Sequence, residues 1–316
     1  MRAITLAAII MLAVSSLIAA DKTVATLQLP CESQYQDLSP AGNQLAVHCK
    51  GGGLRLLQVP SGTELRAFPP EQHVNSTVYS HDGNWLAFGF DDGSVEVLPS
   101  HGSGASKRWK PSSRRIDTLN FFPDSKSIVI GPVDSPAQIW AISDTPALRA
   151  TLPFTFGGMT DSAVSPDGKM VVLAGDDTVL RWYDTGTWKP INENRDFLLE
   201  TFAVTFSPDG KQVLAAGADS RVSVLDAASA KVVRQTPPEA GAYIVGLLAI
   251  DNPPGVAALY LDDAGEKPPY GLSWDLANIK STPTGNGQVP SCGNNVSGKL
   301  WMCFTQGKTL TITAYD

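Results

Sequence analysis

The chain has 316 residues and a formal net charge of −7 at neutral pH. Nucleic acid and anionic membrane surfaces both reward a basic face, so this balance argues against either as the main partner. At 43% hydrophobic and 17% charged residues, the composition excludes a disordered chain and allows a large core.

The first 20 residues read as a secretory signal peptide cleaved after Ala20. Met1-Arg2 gives a positive start, Ala3 to Val14 is apolar except for Thr5, and Ser15, Ser16, Ala19 and Ala20 are small. A membrane anchor is the alternative, although the run is short for a span of about 20 residues. No later segment is apolar enough to cross a bilayer. The mature protein is therefore expected in the periplasm or outside the cell, as one domain over residues 21–316, since no stretch is composed like a free linker.

Next comes an apolar segment, Lys22 to Leu29, with Val24, Leu27 and Leu29. After it, a turn of the form aromatic-Ser-Pro-Asp-Gly-Lys begins to recur. Clear copies are Val164-Ser165-Pro166-Asp167-Gly168-Lys169 and Phe206-Ser207-Pro208-Asp209-Gly210-Lys211. Looser copies start at Ser39, Ser80, Phe122, Asp251 and Asn295; counted from Ser165 and Ser207 in the clear copies, the seven are separated by 41, 42, 43, 42, 44 and 44 residues. A period of about 40–45 residues is that of a propeller blade of four short strands.

Residues 201 to 237 show how one unit folds. Phe202, Val204 and Phe206 alternate with Ala203 and Thr205, which is strand periodicity. Ser207-Pro208-Asp209-Gly210 has turn chemistry: Pro presets φ, Asp bonds its own backbone and Gly accepts positive φ. Val213 to Ala216 is a second strand, Val222 to Leu225 a third and Ala230 to Arg234 a fourth. Second strands are apolar throughout (Leu45-Ala46-Val47, Ile128 to Ile130, Val171 to Ala174), so both of their faces are expected to be covered. The last unit lacks a fourth strand, and Lys22 to Leu29 is the segment left to supply it. The expected fold is all-β, a seven-bladed propeller whose N-terminal strand completes the last blade and closes the ring.

The four cysteines fall symmetrically about two turns, Cys31 and Cys49 about the first, Cys292 and Cys303 about the last. This predicts disulfides Cys31–Cys49 and Cys292–Cys303, stapling the blades where the ring closes.

These turns, the Gly/Asp turns after second strands (Asp91-Asp92-Gly93, Asp176-Asp177, Asp219) and an aromatic near the end of third strands (Trp140, Trp182-Tyr183-Asp184, Trp274-Asp275) resemble the WD-repeat β-propeller family in a degenerate form. The likeness runs over about residues 22–316. Trp274-Asp275 is the one literal Trp-Asp pair, and the family's Gly-His is absent, so the inner hydrogen-bond tetrad of well-formed repeats is expected to be largely missing. The resemblance implies a rigid platform for protein binding; that no cofactor or metal is expected rests on the residues that follow.

Chemistry is sparse. There are four histidines, of which His81 and His101 fall in turns on one face of the second blade. No metal-ligand spacing and no Gly-x-Ser-x-Gly elbow occurs. The acid pairs Asp91-Asp92, Asp176-Asp177 and Asp262-Asp263 read as turns. The basic cluster from Lys107 to Arg115 holds five cations in nine residues, with Arg108, Trp109 and Arg115 as candidates for docking an acidic partner; a solvated edge strand is the plainer reading. Loops joining outer strands to the next inner strands would share one face and carry Trp109, Phe154, Phe156, Phe197 and Tyr243, the expected protein-binding surface. Asn75-Ser76-Thr77 and Asn295-Val296-Ser297 are glycosylation sequons by pattern alone.

The expected function is thus a non-catalytic, monomeric scaffold in the periplasm or extracellular space that binds another protein. The alternative is a lactonase-like propeller hydrolase or a small-ligand binder using the central channel, for which Asp117 and Asp161, on neighbouring blades, are the candidate residues.

Overall fold

The computed structural model describes residues 22–50, 52–69, 73–101, 104–153, 157–250, 255–264, 270–283, 290–296, 299–306 and 308–315; the signal-peptide reading of residues 1–20 lies outside them. Every described element is a strand. They form seven antiparallel sheets of four strands each, in chain order within each of the first six blades. The seventh is composite: inner strand Pro290–Val296, then Lys299–Gln306, Thr309–Tyr315 and, outermost, Lys22–Gln28 from the other end of the chain. Leu27 pairs with Leu310 and Gln28 with Thr309. The expected closure is what the fold shows, with one difference in facing. Val24 is exposed, while Ala25, Leu27 and Leu29 point inward on alternate residues.

The recurring turn works as its residues dictate. Ser165 Oγ donates to Asp167 Oδ1 (2.7 Å) and accepts the Met170 N–H (2.9 Å), while the Gly168 N–H closes on the Ser165 carbonyl (2.8 Å). Ser207-Pro208-Asp209-Gly210 repeats this set, and Ser80 with Asp82 repeats it in the second blade. Gly168 and Gly210 sit at φ +71°, which L side chains avoid.

Second strands are buried along most of their length, as their apolar runs predict: Gln44–Cys49 completely, and Trp85–Phe90, Ser127–Pro132, Met170–Gly175 and Gln212–Gly217 beyond the first residue. The core is accordingly a ring of clusters between blades. One example holds Val172, Leu180 and Trp182 of the fourth blade against Val204, Phe206 and Val213 of the fifth. Another holds Leu27, Leu310 and Ile312 of the seventh against Leu38, Leu45 and Leu57 of the first. In every blade the inner strand slips register near its start, as between Ile116 and Thr118 or Thr201 and Ala203. Such a bulge bends and twists the strand, which suits an edge that must turn around a central axis.

Side chains of inner strands reach the next blade's backbone. Asn120 Nδ2 donates to the Ser162 carbonyl (2.7 Å), Thr160 Oγ1 to the Thr201 carbonyl (2.6 Å), and Asp161 Oδ2 accepts the Val204 N–H (2.9 Å). Within a blade, glycine takes the last or next-to-last place of four second strands, Gly89, Gly131, Gly175 and Gly217, each opposite the start of its own inner strand. A Cβ on Gly217 would fall inside van der Waals contact with the Glu200 carbonyl and lie 2.8 Å from Thr201 Cα. Gly217→Ala is therefore expected to cost about 2–3 kcal/mol, at the upper end for overpacking, read as a lower urea midpoint with unchanged slope. A change within about 0.5 kcal/mol would show that the loop yields freely.

Cys31 and Cys49 form the expected disulfide in the first blade. Closing a loop with a sequence separation of 18 residues, its removal in the Cys31→Ser/Cys49→Ser double variant should cost about 3 kcal/mol by chain entropy. Chemical denaturation of the oxidised protein and the variant checks this. In the last blade the backbone register sets Cys292 directly opposite Cys303; their side chains lie outside those described.

Candidate functional site

One face of the ring carries the turns after second strands and the loops between blades. The channel candidates of the hydrolase alternative do not meet there. Asp117 is exposed and gripped by Arg115 through paired bonds of 2.6 and 2.8 Å. Asp161 is half-buried: its carboxylate accepts the N–H groups of Val204 and of Ser162 (2.7 Å), and burial raises its pKa to about 7. A carboxylate used to tie two blades together is not free to face a channel.

The histidines separate likewise. His81 Nε2 lies 3.2 Å from the Phe121 carbonyl of the third blade, whereas His101 Nδ1 lies 2.9 Å from Gln44 Nε2 of the first. His48 is buried against Thr77 Oγ1 at 2.9 Å, and burial lowers its pKa to about 3. Among the described residues no group of His, Cys, Asp or Glu could hold a metal ion.

Five of the six acid-pair residues sit in turns, as expected, while Asp262 ends the strand Gly255–Asp262. Asp92 caps Ser94 (2.9 Å to its N–H), Asp91 accepts Asn75 Nδ2 (2.7 Å), and Asp177 forms a buried pair with Arg181. The bond to Asp91 also places the first sequon's Asn75 in an inner strand. No third-strand tryptophan reaches a histidine: Trp140 Nε1 donates to Gln138 on its own strand, Trp274 Nε1 to the Tyr260 hydroxyl, and Trp182 Nε1 is buried without a partner. The tetrad of well-formed repeats is absent at these positions.

Three of the five cations of the basic cluster are paired with carboxylates elsewhere in the chain. Lys107 pairs with Asp144 and lies over the Trp85 ring; Arg108 pairs with Asp92 and Glu96, donates to Ser94 and lies 4.3 Å from the Phe90 ring centroid; Arg115 holds Asp117. The expectation of Trp109 as a protruding anchor is corrected, because it is half-buried, with its ring 5.8 Å from that of Trp140. Phe197 is corrected too: it is buried in the cluster between the fourth and fifth blades. Tyr243 is half-buried, edge-on to Phe202 at 5.9 Å. Phe154 and Phe156 lie outside the described residues.

What the sequence reading missed is the pair next to Phe197. Leu198 is 91% exposed and Leu199 50% exposed. Their loop, residues 195–200, is held at both ends. Asn194 Nδ2 donates to Asp196 Oδ2 and to the Ala230 carbonyl, Asn194 Oδ1 accepts the Asp196 N–H, Phe197 plugs the core, and the Glu200 carbonyl accepts the Ala218 N–H (3.0 Å). Buried Phe197 forces the following residues outward. The signal was there to see: two leucines between Asp196 and Glu200, where a loop belongs.

Two segments, residues 62–97 and 201–226, match the family model described as WD domain, G-beta repeat. The β-propeller domain of Cps50 (Swd1) from Myceliophteria thermophila has the same fold, with a TM-score of 0.71 at 11% identity over 93% of this chain and 99% of that one. Telomerase protein component 1 of Rattus norvegicus is 25% identical over 140 residues, and that of Mus musculus 24% identical over 140 residues; each match covers 44% of this chain and 5% of the relative. The chain thus corresponds to a small part of those two proteins.

Proposed function

The chain is a degenerate WD-repeat β-propeller, and from that premise we propose that it is a non-catalytic scaffold, exported through its first 20 residues, which binds another protein in the periplasm or extracellular space. The observation that carries this reading is Leu198, almost fully exposed on a loop whose ends are fixed to the ring. A large apolar side chain held in water on a rigid support is the arrangement of an interface anchor. Of the residues named for the hydrolase alternative, Asp117 is bonded to Arg115 and Asp161 to the Val204 N–H.

The test is crosslinking capture with the tagged mature protein in cells of its source, followed by mass spectrometry of the crosslinked peptides. The expected result is one dominant protein, joined through the loop face and recovered from the exported fraction. Recovery of the protein in the cytoplasm with its first 20 residues intact would overturn the export, and turnover of a lactone substrate would overturn the absence of catalysis.

A further inference from the structure

The exposed leucines do not stand alone. Hydrogen bonds run from their loop across the face of the fifth and sixth blades: the Ala218 N–H to the Glu200 carbonyl (3.0 Å), the Glu239 N–H to the Ser220 side-chain Oγ (2.9 Å), and the Asp263 N–H to the Gly241 carbonyl (3.0 Å). Glu200, Asp219, Glu239 and Asp263 are therefore carried on one continuous strip with Leu198 and Leu199. Tyr260 and Tyr270 of the sixth blade stack at 5.1 Å; Tyr260 is fully buried, and burial first, then the nearby charges of Glu239 with Asp219 or Asp262, raises the pKa of both hydroxyls. Two of the cations at hand are paired: Arg195 holds Glu193 (2.7 Å) and Arg181 holds Asp177. Arg221 donates to the neutral Thr236 carbonyl (3.3 Å), so its single charge stands against the four carboxylates and leaves the sector acidic.

We propose that this sector, centred on Leu198 and Leu199, docks a basic segment of the partner protein that presents an apolar side chain between lysines or arginines. The proposal rests on the scaffold reading and adds the partner's chemistry. The leucines offer apolar area in a wet surrounding, and the strip of carboxylates selects the sign of the flanking charge. The same carboxylates repel an anionic bilayer, so a lipid surface is disfavoured as the occupant even though two exposed leucines alone would suit one.

The probe is a fluorescent 16-residue peptide of alternating leucine and lysine, with a photo-crosslinker at its centre, and a leucine/glutamate peptide of the same pattern as the control. The protein is the mature chain, its Leu198→Ser/Leu199→Ser variant and its Glu200→Lys/Glu239→Lys variant. All four positions lie in surface loops, and melting temperatures verify that the variants fold. The expected result is that the lysine peptide binds, crosslinks to residues 195–200 and 236–241, and weakens at least tenfold in each variant and with rising salt. The glutamate peptide should not bind. Equal binding of both peptides, crosslinks elsewhere, or no binding of the lysine peptide would overturn the proposal. Sedimentation with phosphatidylglycerol vesicles, lost in the leucine variant, would overturn it in favour of a membrane. The scaffold reading is judged separately by the capture experiment: a partner crosslinked to another part of the ring would sink the basic segment and leave the scaffold standing.

Discussion

Deleting residues 21–30 is expected to lower the melting temperature by 10 °C or more, or to prevent folding. The segment is a small fraction of the chain, but it is the outer strand of the last blade and forms one wall of the cluster between the seventh and first blades. Leu27 and Leu29 are almost fully buried there, together with Ala25. Each leucine contributes about 1.5–3 kcal/mol by burial. Their loss, with the hydrogen-bond ladder to Thr309–Tyr315, amounts to about 5–8 kcal/mol, and at about 2 °C per kcal/mol for a chain of this size the shift follows. The deletion also leaves Thr309–Tyr315 as an open edge, a template for association. If the truncated chain does not accumulate, Leu27→Ser gives the same information at smaller scale, with about 2–5 kcal/mol expected from a large-to-small change in a packed core. A truncated protein that melted with the wild type would show that the ring holds without its clasp.

The architecture was legible because a propeller writes itself into the chain seven times. The Ser-Pro-Asp-Gly turn needs a serine hydroxyl, a carboxylate two residues on and a residue tolerant of positive φ, so its chemistry cannot drift far. The apolar second strands follow from burial on both faces. The clasp was legible because the count of strands left one short. Facing was harder: Ala25 packs inward and Val24 outward, which no propensity distinguishes when an alanine fits the tighter side. The glycines at 89, 131, 175 and 217 recur at the blade period and were equally readable, but each faces the start of its own blade's inner strand, and Gly89 and Gly131 also face Ile116 and Met159 of the next blade, contacts that a linear reading does not bring near.

The site was less legible, since exposure depends on partners distant in sequence. Trp109 looks like an anchor until Trp140 is placed against it, and Arg108 and Arg115 look free until Asp92, Glu96 and Asp117 are set beside them. Phe197 and Leu198 are adjacent and chemically alike, and one is core while the other is surface. That division was decided by the fixed ends of their loop.

Stability is expected to fall as pH rises from about 5 to 8, and two half-buried carboxylates supply the fall. Asp161 accepts the N–H groups of Val204 and Ser162, and Asp37 is bonded in the same manner by those of Tyr79 and Leu38; burial raises both pKa values from 3.8 to about 7. A carboxyl that binds its proton more tightly in the folded state stabilises fully below its unfolded pKa, and that stability is lost as pH rises through the folded value. A shift of roughly three units corresponds to about 4 kcal/mol for each. His48 opposes them. With its pKa lowered to about 3, it contributes stability above its unfolded value that is lost as pH falls below about 6.5. Two carboxyls against one such imidazole leave a net decline with rising pH, steepest between about 6.5 and 7, where the histidine has stopped changing. Asp161→Asn separates the terms. Its carbonyl oxygen keeps one backbone N–H, but its amide nitrogen meets the other, so at pH 5 the variant should be less stable by about 1–3 kcal/mol. It no longer has a charge to bury, so by pH 8 it should equal or exceed the wild type. The two melting curves, plotted against pH, are expected to cross; parallel curves would mean that Asp161 is ionised in the folded ring throughout this range.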